Sequence, residues 1–269
     1  MLVVIESYDK RNSDLEALLQ GNSIQYLSMT YQGELPTGVL CPFQYYCNIN
    51  LNGRARFFNE IEVPDGCEIR QDNHPYGEVR KDGFPLARIF YWPNSFRRVK
   101  AVDWLNRDLS ISYTEHYDCY GTQYAKTYYL HGHVYQTAYY NKHHEVIQVN
   151  HITKYVMLQD NNKRYLFPSI VEFNSHYLDE LGLTDQPYII NSLSYPLFLC
   201  RFRAKEANTT LLWQERFVDG IPGNMIVELE QPKAIHTIIM EDKEEYEQIL
   251  SRYPSTSIKV KLGIESLHT

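Results

Sequence analysis

The chain opens on a short unbroken apolar run, "LVVI" (Leu2–Ile5), followed by "NSDLEALLQGN". There Leu15, Leu18 and Leu19 recur at helical spacing between a cap at Ser13 and a stop at Gly21. "SIQYLSM" then restores strand character, so the first segment predicts the strand, helix, strand order of a parallel α/β unit. From about Phe43 the apolar period falls to two. Between Phe43 and Phe167 the runs "FQYYCNINLNGRARFFN", "LARIFYW", "RRVKAVDWL", "SISYTEHY", "QYAKTYY", "VYQTAYY", "VIQVNHI", "KYVMLQD" and "RYLF" each read as a strand. They are separated by Asn52-Gly53, Asp82-Gly83, Pro93-Asn94, His131-Gly132 and Asn161-Asn162, residue pairs that set turn dihedrals. This predicts an antiparallel meander.

After Phe167 the helical period returns. Ile170, Phe173, Tyr177, Leu178 and Leu181 form one stripe behind Pro168 and ahead of Gly182. "PYII", "TLLWQE", "AIHTIIM" and "SIKVKL" are expected strands, and "DKEEYEQILSRY" is an amphipathic helix with an acidic first turn. The predicted class is α/β plus β. One α/β domain spans residues 1–42 and 168–269, and a large antiparallel extended β-sheet insertion spans 43–167.

Within the insertion, "QYAKTYYLHGHVYQTAYY" sets a problem of faces. With His131-Gly132 as a two-residue turn, Tyr128 is expected opposite Tyr135, Lys126 opposite Thr137 and Tyr124 opposite Tyr139, while Ala125, Thr127, Tyr129, Val134, Gln136 and Ala138 share the other side. Both faces come out mixed. A sandwich core needs one greasy face, so the pattern predicts a single-layer sheet with both sides partly wet. Tyrosine buries a large ring while keeping a hydroxyl that tolerates water, which suits a surface that meets a partner. The bland alternative is ordinary strand tyrosine in a barrel or sandwich, because strands favour tyrosine anyway.

Length adds that 269 residues exceed one compact core, consistent with two unequal parts. A net charge of -7 with no basic block argues against tracking a nucleic-acid backbone. Five scattered cysteines without a C-x-x-C pair suggest neither a disulfide framework nor structural zinc, and point to a reducing cytoplasm. No run approaches the ~18 apolar residues of a membrane span.

Candidate chemistry is sparse. The chain contains no G-x-G-x-x-G, Walker, G-x-S-x-G or H-E-x-x-H motif, so no cofactor and no catalytic residue is predicted. His131, His133, His143, His144 and His151 cluster along the chain. Two pairs fall at hairpin turns without carboxylate or thiol companions, so no metal site is expected. In "YTEHYDCYG", strand geometry puts His116 and Asp118 on one face and Glu115 on the other, which reads as strand polarity. "LLWQERFVDGIPGNM" carries the most function-like segment. A strand ending at Trp213 delivers Gln214 and Glu215 to its carboxyl end, where open α/β sheets bind ligands, and Pro222, Gly223 and Asn224 start a helix.

Taken together, "EIRQDNHPYGEVRKDGFPLARIFYW", "RRVKAVDWL", "EHYDCYGTQYAKTYY", "NSLSYPLFLCRF" and "LLWQERFVDGIPGNM" resemble, in order, the GtfB family of glycosylation chaperones of the bacterial accessory Sec system. The likeness runs from about Leu2 to Leu262. It implies a Rossmann-like domain, half of a GT-B fold, with an added β-sheet domain that docks a catalytic subunit, GtfA. The family is non-catalytic. It helps hold a serine-rich repeat adhesin while its partner transfers N-acetylglucosamine, in the cytoplasm and at most peripheral on the cytoplasmic face of the membrane. Carried over by motif, and joined with the hairpin tyrosines, the implied partner-docking residues are Arg88, Tyr91, Trp92, Trp104, Tyr117, Tyr120, Tyr124, Tyr128, Tyr135 and Tyr139. The implied acceptor-binding residues are Trp213, Gln214, Glu215, Pro222, Gly223 and Asn224. Family members also imply a second Rossmann-like half beyond the segment resembling "KVKLGIESLHT", so the cleft between halves is expected to be incomplete in a chain ending at Thr269. Two other readings are a glycosyltransferase using UDP-GlcNAc near Gly223, and a free-standing tyrosine-rich module of the YD-repeat kind.

Overall fold

In the computed structural model the described residues are 1–8, 24–71, 74–161, 163–183, 186–203 and 208–263. The helix expected around Leu15, Leu18 and Leu19, with its cap at Ser13 and stop at Gly21, lies outside them, as does Asn162 of the last expected turn. The chain divides into two compact units. One comprises residues 1–30, 36–42 and 170–269, and the other residues 31–35 and 43–169.

The first unit is built on seven parallel strands in the order β17-β16-β15-β14-β1-β2-β3. These are β1 (Leu2–Ile5), β2 (Gln25–Ser28), β3 (Val39–Leu40), β14 (Tyr188–Ile190), β15 (Thr209–Trp213), β16 (Ile235–Met240) and β17 (Lys259–Leu262). Central strands of a parallel sheet are covered on both sides, so they read as continuous apolar runs rather than alternations. The four residues of β1 are all buried, and Val3, Ile5, Ile189, Leu212 and Ile239 form one core cluster. Strand order runs outward from β1 in one direction to β3 and in the other from β14 to β17, so it reverses between β1 and β14. Among the described residues, helices Ile170–Glu180, Tyr195–Arg203, Gly223–Glu230 and Lys243–Arg252 also belong to the unit.

Polar side chains lock these helices in place. Arg203 donates to the Tyr188 hydroxyl at 2.9 Å, to the Ser175 carbonyl at 3.0 Å and hydroxyl at 2.7 Å, and pairs with Asp179 at 2.9 Å, tying two helices to β14. Glu228, fully buried, accepts from the backbone N–H groups of Lys233, Ala234 and Ile235 and from Arg201 Nε at 2.7 Å. Burial pushes the Glu228 carboxyl up, but the hydrogen bonds from Ala234, Arg201, Lys233 and Ile235 outweigh it and hold the group below its ordinary range.

The second unit is a ten-stranded antiparallel sheet in strict sequence order, from β4 (Glu68–Arg70) to β13 (Lys163–Phe167). Between them lie β5 (Gly77–Lys81), β6 (Phe84–Tyr91), β7 (Val99–Leu105), β8 (Ile111–Tyr117), β9 (Gln123–Leu130), β10 (His133–Asn141), β11 (His144–Asn150) and β12 (Val156–Asp160). Asp82-Gly83 and His131-Gly132 make the tight turns, each with both residues at positive φ (51° and 81°, then 51° and 77°), the type I′ signature.

Three expectations are corrected. The run from Phe43 to Asn59 is not a strand. Pro42–Tyr46 is a short helix, and a 3-10 turn follows at Phe58–Glu60. Phe43 and Cys47, four apart, are each about 1% exposed, and the Phe43 ring packs on Tyr139 at 4.4 Å. That is a helical spacing hidden inside an alternating composition. The β9–β10 hairpin also slips. Leu130 pairs with His133 and Tyr129 with Val134, but the register then shifts at Tyr135, so Tyr128 faces Gln136, Lys126 faces Ala138 and Ala125 faces Tyr139. One extra residue on one strand turns every later side chain to the other face.

Every pairing from β5–β6 to β10–β11 carries such a shift. The bulge between His116 and Tyr117 also corrects the expected grouping of His116 with Asp118. Asp118 leaves the strand, and its carboxylate accepts the N–H groups of Tyr120 at 3.0 Å and Thr122 at 2.8 Å.

Candidate functional site

Register resolves the sheet unit into two distinct faces. One carries a row of Ala87, Trp104, Tyr113, Tyr128 and Gln136, beside a row of Ile89, Val102, Glu115, Lys126 and Ala138. The chain's own segment around Ile61 covers its β5–β8 part, where Ile61, Val79, Ala87, Ile89, Val99, Val102 and Tyr117 form a buried cluster. Beyond that cover the rings continue half-buried. Trp104 and Tyr113 lie 6.1 Å apart, Tyr113 and Tyr128 6.2 Å, and Tyr128 and Tyr135 6.3 Å. The hydroxyls of Tyr128 and Tyr140 sit 3.3 Å apart.

Glu115 is the polar hub of this face. It accepts from Trp104 Nε1 at 3.1 Å and from the Tyr117 hydroxyl at 3.0 Å, and pairs with Lys126 at 3.0 Å. The sequence marks Glu115 only as strand polarity, because its partners come from three strands. The usable signal is an acidic residue facing lysine and tryptophan across neighbouring strands, visible only once register is known.

The expected docking residues divide by exposure. Tyr117 (3 % exposed) and Tyr124 (7 %) are buried within the unit, Tyr117 beneath Arg56 and Tyr124 edge-on to Tyr31 at 4.8 Å. Trp92 backs onto Gly33 and carries the Lys100 ammonium 4.9 Å above its ring. Tyr91 has its hydroxyl buried, and Arg88 sits on the opposite face near Tyr76, with no acceptor for its Nε among the described residues. Tyr139 lies under Phe43. Tyr120 sits in the turn held by Asp118. Trp104, Tyr128 and Tyr135 share the open aromatic row, with Tyr135 projected by the bulge.

Burial pushes the Asp118 carboxyl up to about 6, against the opposing pull of the Thr122, Tyr120 and Gly121 N–H groups and the Arg56 charge. An acid whose folded value lies above its ordinary value of ~3.9 stabilises most at low pH, and that contribution disappears as pH rises through the folded value. Asp118→Asn is therefore expected to flatten the loss of stability between about pH 4 and about pH 6, read from denaturant midpoints across that window.

In the parallel unit, the strand reversal brings two loops together at the carboxyl edge. Glu6, just after β1, accepts the Ser194 hydroxyl at 2.6 Å, and Ser194 lies 3.0 Å from Ser192 in the loop after β14. Thr30 holds the Glu6 carbonyl at 2.8 Å, and Asn224 Nδ2 donates to the Leu193 carbonyl at 2.9 Å. Of the six residues expected to bind acceptor, Asn224 thus reaches the switch-point loop. Trp213 is buried against Phe217 at 5.9 Å, Gln214, Glu215 and Gly223 are exposed, and Pro222 caps the helix. Glu6, Ser192 and Ser194 escape the sequence reading, since nothing local marks the meeting of Glu6 with a residue 188 positions further along the chain. Among the described residues no group of three or more His, Cys, Asp or Glu gathers where a metal could be held, and no helix is long and apolar enough to cross a membrane.

Comparison with known proteins supplies the context. Residues 67–168 match the GtfB middle domain model and residues 170–251 the GtfB third domain model. The chain is 31% identical over 264 residues to the UDP-N-acetylglucosamine–peptide N-acetylglucosaminyltransferase stabilizing protein GtfB of Streptococcus agalactiae, covering 94% of this chain and 59% of that protein. It is 32% identical over 249 residues to the Streptococcus parasanguinis protein of the same description, covering 91% and 56%. A chain in the crystal structure of a GtfA/B complex bound to UDP and GlcNAc superposes with a TM-score of 0.88 at 29% identity, covering 97% of this chain and 61% of that one. The chain therefore spans somewhat over half the length of these relatives.

Proposed function

The chain belongs to the GtfB family, and from that premise we propose that it is a non-catalytic stabilising subunit of a protein O-GlcNAc transferase. The single observation that carries the reading is the open row of Trp104, Tyr113, Tyr128 and Tyr135, rings spaced 6.1 to 6.3 Å apart and left half-buried by the chain's own cover. Half-buried aromatics of this kind gain most when a partner completes their burial. The partner is the catalytic subunit, GtfA, and the second unit, residues 31–35 and 43–169, is the added docking domain.

The parallel unit, residues 1–30, 36–42 and 170–269, is read as the Rossmann-like half of a GT-B fold, supported by its strand order. Its carboxyl edge presents hydroxyls, an amide and one exposed carboxylate at Ser192, Ser194, Asn224 and Glu6. That chemistry suits an extended serine-rich acceptor, whose backbone N–H and hydroxyl groups donate to Glu6. Gln214, Glu215 and Gly223 extend the same edge. We read it as a cytoplasmic chaperone for the adhesin acceptor, and fractionation of expressing cells tests its peripheral association with the membrane.

Three experiments test this. The isolated chain is expected to show no turnover of UDP-GlcNAc, and turnover would overturn the non-catalytic reading. In cells expressing both subunits, Tyr128→Asp is expected to weaken co-purification at least tenfold, because a carboxylate in the aromatic row must be desolvated at the interface. Unchanged affinity would sink the docking reading. Glu6→Gln is expected to leave the complex intact and to raise the KM for acceptor severalfold.

A further inference from the structure

The face opposite the aromatic row carries a feature that docking does not use. Arg88, Asp103, Thr114, Thr127, Thr137 and Val149 stand directly across from one another on six successive strands. Within this polar band, His116 Nε2 lies 2.9 Å from Thr127 Oγ1, Thr127 Oγ1 lies 3.1 Å from Thr137 Oγ1, and Thr137 Oγ1 lies 2.9 Å from His151 Nε2. Thr127 and Thr137 are each more than nine-tenths buried. The four groups form one unbroken chain from β8 to the turn that follows β11.

Proton counting constrains such a chain. Three hydrogen bonds need three protons, and each threonine hydroxyl supplies one. The third must come from a ring nitrogen, and a fourth fits only if one threonine hydroxyl turns its proton away from the chain. We propose that His116 and His151 are held in opposite states at Nε2, one donating into the chain and the other accepting from it, and that the chain is an acid-sensitive latch. When both rings carry a proton at Nε2, one threonine hydroxyl must turn its own proton out of the chain, and both hydroxyls belong to buried side chains, which loosens the chain.

Surroundings favour the closed state. Burial, then the Lys100 charge, lowers His116 to about 4, and burial with Lys154 lowers His151. Around His116 stand the Lys100 side chain on β7 and the Tyr124 ring 6.0 Å away on β9. Further along the band, Asp103 is engaged by the Thr114 hydroxyl at 2.6 Å with Arg88 beside it. A base whose folded value is lowered stabilises above its ordinary range, and that contribution is lost as pH falls toward the folded value. The latch also sets geometry, because the His151 N–H donates to the Tyr135 carbonyl at 2.9 Å and so pins the bulge.

Nitrogen-15 NMR of the imidazoles in the full chain tests this, with signals assigned through His116→Gln and His151→Gln. At neutral pH one ring is expected to carry its proton at Nε2 and the other at Nδ1. On acidification, protonation of the accepting ring is expected to coincide with faster exchange of the His151 amide. Thr137→Ser, which keeps the hydroxyl, is expected to preserve the opposite tautomers. Thr137→Val is expected to let both rings mix tautomers. Two rings in the same Nε2 state in the unaltered protein would overturn the proposal, whether or not the valine variant folds.

Discussion

Glu228→Ala is expected to destabilise the parallel unit by about 3–5 kcal/mol, the cost of breaking a buried ion pair from one side. The side chain is fully buried and closes four hydrogen bonds at once, three of them from the consecutive backbone N–H groups of Lys233, Ala234 and Ile235 that lead into β16. Alanine leaves those donors without an acceptor, each costing on the order of 1–3 kcal/mol where water cannot reach, and strips Arg201 of its partner. Chemical denaturation should show a lower midpoint with an unchanged slope. The pH dependence has a definite sign. Because the folded-state value of Glu228 is depressed, its contribution is complete above the ordinary glutamate value of ~4.3 and is lost as pH falls through the depressed one. Glu228→Gln should therefore remove part of the acid sensitivity while keeping some of the hydrogen bonds. Wild-type stability in the alanine variant would show that the carboxylate is incidental.

The second large effect is expected at Gly121. This residue closes the Asp118 turn at φ 89°, a left-handed conformation that L side chains rarely adopt. A Cβ there would also run into the Arg54 carbonyl oxygen and come within 3.1 Å of the Arg56 nitrogen. Both obstacles are backbone, so neither can swing aside. Gly121→Ala is expected to cost about 2–4 kcal/mol, above the usual range for a surface turn because strain and collision add. The control is Gly132→Ala, whose φ is 77° but which has open space around it. It should lose only about 1 kcal/mol for its backbone conformation. Equal losses at the two sites would show that collision contributes nothing.

Legibility in the sequence followed how local each signal was. Apolar runs such as "LVVI" and alternations such as those of β7 to β10 report burial within a few residues, and the strands appear where those patterns lie. The type I′ turns at Asp82-Gly83 and His131-Gly132 were equally legible, because positive φ at both positions demands particular residues. Bulges left no such mark. Tyr135 sits in an alternating run like any other, and only pairing with β9 reveals that it is skipped. The helix at Pro42–Tyr46 was missed because five residues are too few to show a period. At the carboxyl edge, Asn224 belonged to a readable strand, loop and helix start. Glu6 and Ser194, whose side chains meet at 2.6 Å, come from segments whose proximity only the folded sheet creates.

The place of β1 has a consequence for how this polypeptide is made. Leu2 pairs on one flank with Gln25, available almost at once during synthesis, and on the other with Tyr188, which a ribosome delivers only after the whole meander has emerged. The meander can zip hairpin by hairpin as it leaves the exit tunnel, since each strand from β4 to β13 pairs with its sequence neighbours. Throughout that interval the nascent chain shows an apolar strand with one unzipped flank, the kind of edge that invites wrong pairing. Slowing translation just before residue 188 should lengthen that exposure and raise the fraction of newly made protein lost to aggregation.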